Sequence, residues 1–252
     1  MKNLFLILVF LGLACVSCTP KGEEPASTPK TPPPASTDAT HVTTAPVAAA
    51  PVVVPSGEAT AHVVGALGDV VLFFAGDYVA KGSPFKKLIA VGSDGKIVWS
   101  YTTNGAMGLA VKHSADMLRL EESDGKLVAW LNGATGQVLK LTEQPKVTAF
   151  DYTGDACSFA NGRLTCKALD GTSWGVQSAT ANHVRYFEKH ICFVGPGRSV
   201  QCHERAGGKK VVEAKVPIIK TVKNPEALNF SYVFHKGVLY IARYDGTISL
   251  HR

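Results

Sequence analysis

Helical periodicity is scarce along these 252 residues, which argues against an all-α or doubly wound α/β architecture. The 11-residue apolar run Leu4–Ala14 is too short to cross a bilayer as a helix. There is no glycine-rich phosphate loop, and the eight histidines fall at neither H-x-x-x-H nor H-E-x-x-H spacing. The cysteines beyond the amino-terminal leader lack the C-x-x-C spacing of structural zinc sites. Aromatic residues are missing between Thr19 and Ala59, and proline becomes rare after that stretch.

Three regions follow from these gaps. Residues 1–18 carry Lys2, the apolar run and then Cys15-Val-Ser-Cys18, the layout of a secretory signal. Residues 19–60 hold nine of the fourteen prolines with many Thr, Ser and Ala. Such a composition buries too little apolar surface to offset its ordering entropy, so a disordered linker is expected. In a polyproline-like state it would reach on the order of 120 Å. Residues 61–252 are long enough for one sizeable core.

In that last region, short runs of Val, Ile, Leu, Phe and Tyr alternate with glycine-containing turns. Leu88–Trp99, Leu127–Lys140 and Leu164–Trp174 repeat a strand, turn, strand pattern, and Ser199–Val212 and Gly237–Arg252 repeat it more loosely. The turn glycines Gly95, Gly136, Gly171, Gly208 and Gly246 are spaced by 41, 35, 37 and 38 residues. A period near 38 with three or four strands per unit is the mark of propeller blades. The predicted fold is therefore all-β, a small β-propeller of about five blades. Four blades or an open β-sandwich are the alternatives. The last unit also admits a second register, with Asp245-Gly246 matched to Asn161-Gly162. The chain would then end inside its last blade, and Ala61–Leu67 could supply the missing strand.

Two hairpins in this array carry paired cysteines. Asn161-Gly162 suits a two-residue type I′ turn, which sets Cys157 opposite Cys166. Folding about Gly197 likewise sets Cys192 against Cys202. Disulfides 157–166 and 192–202 are expected, and they agree with an exported chain in an oxidising compartment. Four buried thiols are the plainer reading, and a zinc site using His190 or His203 is a weaker one.

The leader resembles a bacterial lipoprotein signal, in which a small residue precedes the cysteine that becomes lipidated. Cys18, after Val16-Ser17, is the candidate, with Cys15 as the alternative. The resemblance implies a membrane anchor through an amino-terminal lipid. The residue after the cysteine, Thr19, implies the outer membrane, facing periplasm or cell surface. The repeat itself resembles the blades of quinoprotein-type (PQQ-like) propellers: Leu-x-Ala, a T-G or D-G turn, then an apolar strand ending in Trp. In that family the turn and the tryptophan dock neighbouring blades. Leu127–Lys140 is the nearest copy but has Lys140 where Trp is expected, and Trp174 follows its glycine one residue early.

Catalytic constellations do not survive inspection. Gly171-Thr-Ser173-Trp-Gly175 fits G-x-S-x-G, yet a nucleophile elbow needs a strand-to-helix turn and this one lies between strands. Glu121, Glu122 and Asp124 read as a solvated turn. Quinone-dependent chemistry in the resembling family needs a larger ring, a catalytic aspartate and a metal site, for which no motif is found here. No cofactor, metal or nucleic acid is expected. Residues 61–252 carry 23 Lys and Arg against 16 Asp and Glu. Arg198, Arg205, Lys209, Lys210, Lys215, Lys220 and Lys223 form a candidate basic patch for an acidic partner or anionic lipid. The expected function is non-enzymatic: a membrane-anchored propeller that serves as a protein-binding or envelope-assembly scaffold. A glycan-binding propeller is the first alternative, although Tyr78, Trp130, Tyr152 and Tyr244 fall at no shared loop position. A degenerate quinoprotein-like enzyme is the second.

Overall fold

The computed structural model describes residues 50–76, 85–103, 109–122, 124–168, 170–178, 183–219 and 229–252. Cys15, Cys18, Tyr78, Lys220 and Lys223 lie outside these, as do the leader and the linker up to residue 49. The described part is an all-β array of five antiparallel sheets, the blades of a small propeller.

Blade 1 is β2 (Thr60–Leu67), β3 (Val70–Gly76), β4 (Phe85–Gly92) and β5 (Ile97–Thr102), paired in that order. Blade 2 has β6 (Ala110–Ser114), β7 (Met117–Glu121) and β8 (Leu127–Asn132), with a single Leu131–Val138 bridge in place of its outer strand. The two-residue β9 (Thr148–Ala149) pairs with β6 on the inner side of that blade. Blade 3 has three strands: β10 (Cys157–Ala160), β11 (Arg163–Lys167) and β12 (Ser173–Gln177). Blade 4 is β13 (Arg185–Tyr186), β14 (His190–Gly195), β15 (Ser199–Glu204) and β16 (Lys210–Lys215). Blade 5 is β17 (Phe230–His235), β18 (Val238–Arg243) and β19 (Thr247–His251), completed by β1 (Val52–Pro55).

Blade 5 settles the register left open by the sequence. Asp245-Gly246 joins the second and third strands, and matches Asn161-Gly162 between β10 and β11 of blade 3, which has no inner strand before β10, so Gly246 is no marker of the outer turn. The chain ends on the third strand, and the fourth comes from the amino-terminal side. That strand is Val52–Pro55 and not Ala61–Leu67, which instead forms the inner strand of blade 1. The linker therefore ends earlier than residue 60. The reason lies in the edge: proline has no N–H for a ladder, so it is tolerated on an outermost strand. Val54, between Pro51 and Pro55, is buried against Ile248 and Leu250.

Apolar cores form where blades meet. One cluster joins blades 5 and 1 around Phe73, Val233 and Tyr240, and another joins blades 1 and 2 around Leu72, Leu88, Leu118 and Leu131. Blades 4 and 5 share Val200, Cys202, Phe230 and Ile241; blades 3 and 4 share Leu164, Cys166, Ile191 and Phe193. The docking that the blade motif implies is present at two of these seams. Trp99 of β5 donates its indole N–H to the Gly133 carbonyl at 2.9 Å and lies on Gly136. Trp174 of β12 lies in the same way on Gly208 and stacks with His203 at 5.4 Å. Both glycines have φ of +71°, and a Cβ at either would come within 2.6 Å of the ring. Glycine is thus required twice over, by backbone and by contact. Where Lys140 replaces tryptophan, no described residue comes within 4 Å of where a Cβ on the corresponding Gly171 would sit.

Both disulfides form between facing residues of one hairpin, Cys157–Cys166 and Cys192–Cys202, with Cα atoms 4.0 and 4.1 Å apart. Asn161 and Gly162 both have positive φ, 50° and 71°, as a type I′ turn demands.

Candidate functional site

The inner strands β2, β6, β13 and β17 surround a channel, and the segment from β9 to Thr153 runs across it. In a regular blade this segment would be the inner strand of blade 3. Here it pairs with β6 of blade 2 instead. Thr148 and Ala149 pair with β6, and the Phe150 ring stacks on His113 at 4.7 Å and lies against Gly65. The Tyr152 hydroxyl accepts the Ala66 N–H at 2.9 Å, while the Tyr152 carbonyl accepts the Tyr186 N–H at 2.9 Å. Blades 1, 2 and 4 are thereby tied together by one short stretch. Sequence reading missed it, because two strand residues after Pro145 carry no pattern.

Two adjoining cavities open beside this segment, at the end of the channel that carries the turns between second and third strands. One, of about 410 Å³, is walled by Phe74, Phe85, Leu109, Val111, Phe150 and Tyr244. The other, of about 390 Å³, is polar, with Asp151, Tyr152, Thr153, His183 and Arg185. His62, Val63, Val64 and Phe150 belong to both walls. A bulge in β2 between Val63 and Gly65 puts Val64 there, a common device next to sites.

The polar cavity carries one arginine and one aspartate. The Arg185 guanidinium lies over the rings of Tyr152 and Tyr232, 5.7 and 5.5 Å from their centroids. Burial first, and Arg185 second, hold the imidazoles of His62 and His183 below their usual range. Burial raises the Tyr152 hydroxyl above its ordinary value, and raises the buried Tyr232 further. Tyr232 donates to the carbonyls of His183 and Cys192. At neutral pH the cavity therefore holds one fixed cation, two neutral imidazoles and the protonated Tyr152 phenol. Asp151 is its carboxylate; it accepts from the Thr153 N–H at 2.8 Å and hydroxyl at 2.7 Å. Such a set can hold an anion. Among the described residues no group of three His, Cys, Asp or Glu is arranged to hold a metal ion.

The other sequence candidates scatter. Arg198 and Lys215 sit at one end of the β15–β16 pair, and Arg205, Lys209 and Lys210 at the other, some 20 Å away along the strand. The described members of the basic group thus do not form one patch, because an antiparallel pair sends sequence neighbours to opposite ends. Arg198 stacks over Phe230 at 5.4 Å and Lys210 pairs with Glu213. Ser173 begins the exposed start of β12, with strand and no helix after it. Glu121 corrects the reading of a solvated turn: it is 5 % exposed and paired with Lys112 and with Arg119 at 3.0 Å. Its burial follows from its place at the end of β7, facing β6. Trp130 is buried in β8 while Tyr152 and Tyr244 line the channel, so no recurring aromatic loop position emerges.

Burial also depresses His190, His203, His235 and His251 below 6.5. Unfolded chains would bind protons that the folded one refuses, so the stability these groups contribute is complete above about 6.5 and lost as pH falls below it. Thermal melts should show a lower Tm at pH 5 than at pH 7.5, a window above carboxylate titration. A flat Tm across it would refute this linkage.

No protein-family model matches the chain, and no curated protein matches its sequence. Solved structures do show likeness. BamB from Moraxella catarrhalis is 13% identical over 74% of this chain and 68% of its own, with a TM-score of 0.21. The computationally designed Ika8 protein is 12% identical over 75% and 57%, with a TM-score of 0.22. Glutaminyl cyclase from Myxococcus xanthus is 16% identical over 80% and 94%, with a TM-score of 0.35. At these values the propeller assignment rests on the chain's own strand pairing and inter-blade cores, and the comparisons assign no function.

Proposed function

We propose that this protein is a non-enzymatic scaffold of the cell envelope that holds an extended segment of a partner protein on blade 3. The observation that carries the reading is the edge left on β10 when β9 pairs with β6 instead. The two-residue turn makes Ala160–Arg163 and Ser158–Thr165 the hydrogen-bonded pairs of the hairpin. The backbone groups of Cys157 and Phe159 consequently point away from β11, towards the open side. The Cys157 N–H meets the Tyr186 hydroxyl at 3.2 Å, and Ser158, Phe159 and Ala160 are exposed. An edge whose Phe159 N–H and carbonyl have no partner among the described residues, beside an exposed aromatic, is a ready place for strand addition.

The compartment is part of the proposal. Two hairpin disulfides suit an oxidising space, and a lipid on Cys18 at the outer membrane, facing periplasm or surface, would place the propeller at the end of its linker. The test is a proline at residue 159, which removes an outward-facing N–H and spares the ladder to β11. Phe159→Pro should keep the circular dichroism and melting of the parent, yet lose partners crosslinked to it in the native envelope. Capture that persists undiminished in a folded Phe159→Pro variant would reject the edge as the binding site.

A further inference from the structure

We propose that the paired cavities at the channel mouth bind an amphipathic monocarboxylate, with its acid group on Arg185 and its hydrocarbon or aryl part among Phe74, Phe85 and Phe150. This site is separate from the β10 edge and does not depend on the scaffold reading. Three observations carry it. First, among the described residues no carboxylate pairs with Arg185, whose guanidinium is instead held between two tyrosine faces, 5.7 Å from one centroid and 5.5 Å from the other. An arginine fixed in orientation keeps its planar fork available for a bidentate acid. Second, the one acid among the described residues of that wall, Asp151, is exposed, and its Oδ1 accepts from both the N–H and the hydroxyl of Thr153. Third, the adjoining cavity is apolar and aromatic, with Phe74 and Phe85 stacked at 4.7 Å, and it borders the polar one along His62 and Phe150.

The sizes fit. Each cavity, about 410 and 390 Å³, falls within the range of small-molecule sites, so one lobe takes a phenyl ring or short acyl chain and the other its head group. Tyr152 adds a donor. Its oxygen accepts the Ala66 N–H, and burial keeps its proton on at neutral pH. A neutral ligand of the same shape would fill the apolar lobe and leave the guanidinium unanswered.

Titration calorimetry on the full chain tests this, with 4-phenylbutyrate and 4-phenylbutyramide as probes. The acid should bind roughly tenfold or more tightly than the amide, the difference a charge-assisted hydrogen-bonded pair supplies. Arg185→Gln should bring the acid down to the level of the amide and leave the amide unchanged, with Arg185→Lys in between. Asp151→Asn, at an exposed position, should tighten the acid alone by removing a like charge; it also serves if the Arg185 variants do not fold. Equal binding of acid and amide by the parent protein, or no binding of either, would overturn the proposal. So would an Arg185→Gln variant that weakens both alike.

Discussion

Replacing Trp99 by alanine is expected to lower the stability of the propeller by about 3–5 kcal/mol, the range for truncating a buried tryptophan. For a domain of this size that is roughly 6–20 °C in Tm. The ring is buried between β5 and the outer turn of blade 2, and its indole N–H is the partner of the Gly133 carbonyl. Removing it empties a seam and leaves a polar group unsatisfied. A pair of glycine substitutions separates docking from backbone strain. Gly136→Ala and Gly171→Ala both place a side chain at positive φ, +71° and +85°, which costs about 1–2 kcal/mol at either position. Only Gly136→Ala also drives a Cβ to 2.6 Å from the Trp99 ring. Denaturant melts should therefore show Gly136→Ala to be clearly the worse of the two. Equal losses would mean that the tryptophan dock contributes nothing beyond its own burial.

Removing both disulfides should have an effect at least as large. Each closes a loop of about ten residues, for which chain entropy gives roughly 2–3 kcal/mol, a figure that depends on that model of the unfolded state. The two together approach the lower end of the net stability of an ordinary domain. Replacing Cys192 and Cys202 by alanine should cost more than replacing Cys157 and Cys166. Both sulfurs of the former are fully buried within the core shared by blades 4 and 5, whereas Cys157 is only half-buried. Chemical denaturation with and without reductant measures this, and non-reducing peptide mapping should recover 157–166 and 192–202. An unchanged midpoint on reduction, or recovery of 157–192, would contradict the staples.

The elements legible in the sequence are those whose signal is local. Asn161-Gly162 demands positive φ at two successive residues, so hairpin, register and facing cysteines follow from four strand positions. Trp99 and Trp174 were legible through a repeat, and their docking glycines through its period. The basic group was legible only as composition, and the fold dispersed it. Glu121 looked solvated beside other acids, because nothing local shows that Lys112 and Arg119 converge on it.

The closing strand and the channel belong to a different order of information. Val52–Pro55 is a strand because blade 5 ends one short, some 195 residues later in the sequence. Thr148–Ala149 leaves blade 3 because β6 offers an inner edge, and Tyr152 finds partners on blades 1 and 4. Arg185 has no paired carboxylate among the described residues for the same reason: its surroundings come from four separate stretches of chain. What the sequence determined by itself was the all-β class, the repeat and the staples, since each is set by neighbours within about forty residues. Which strand closes the ring, which blade keeps an open edge and what lines the channel were decided only by tertiary packing. Those choices depend on which unpaired edges and buried charges remain once every blade is in place.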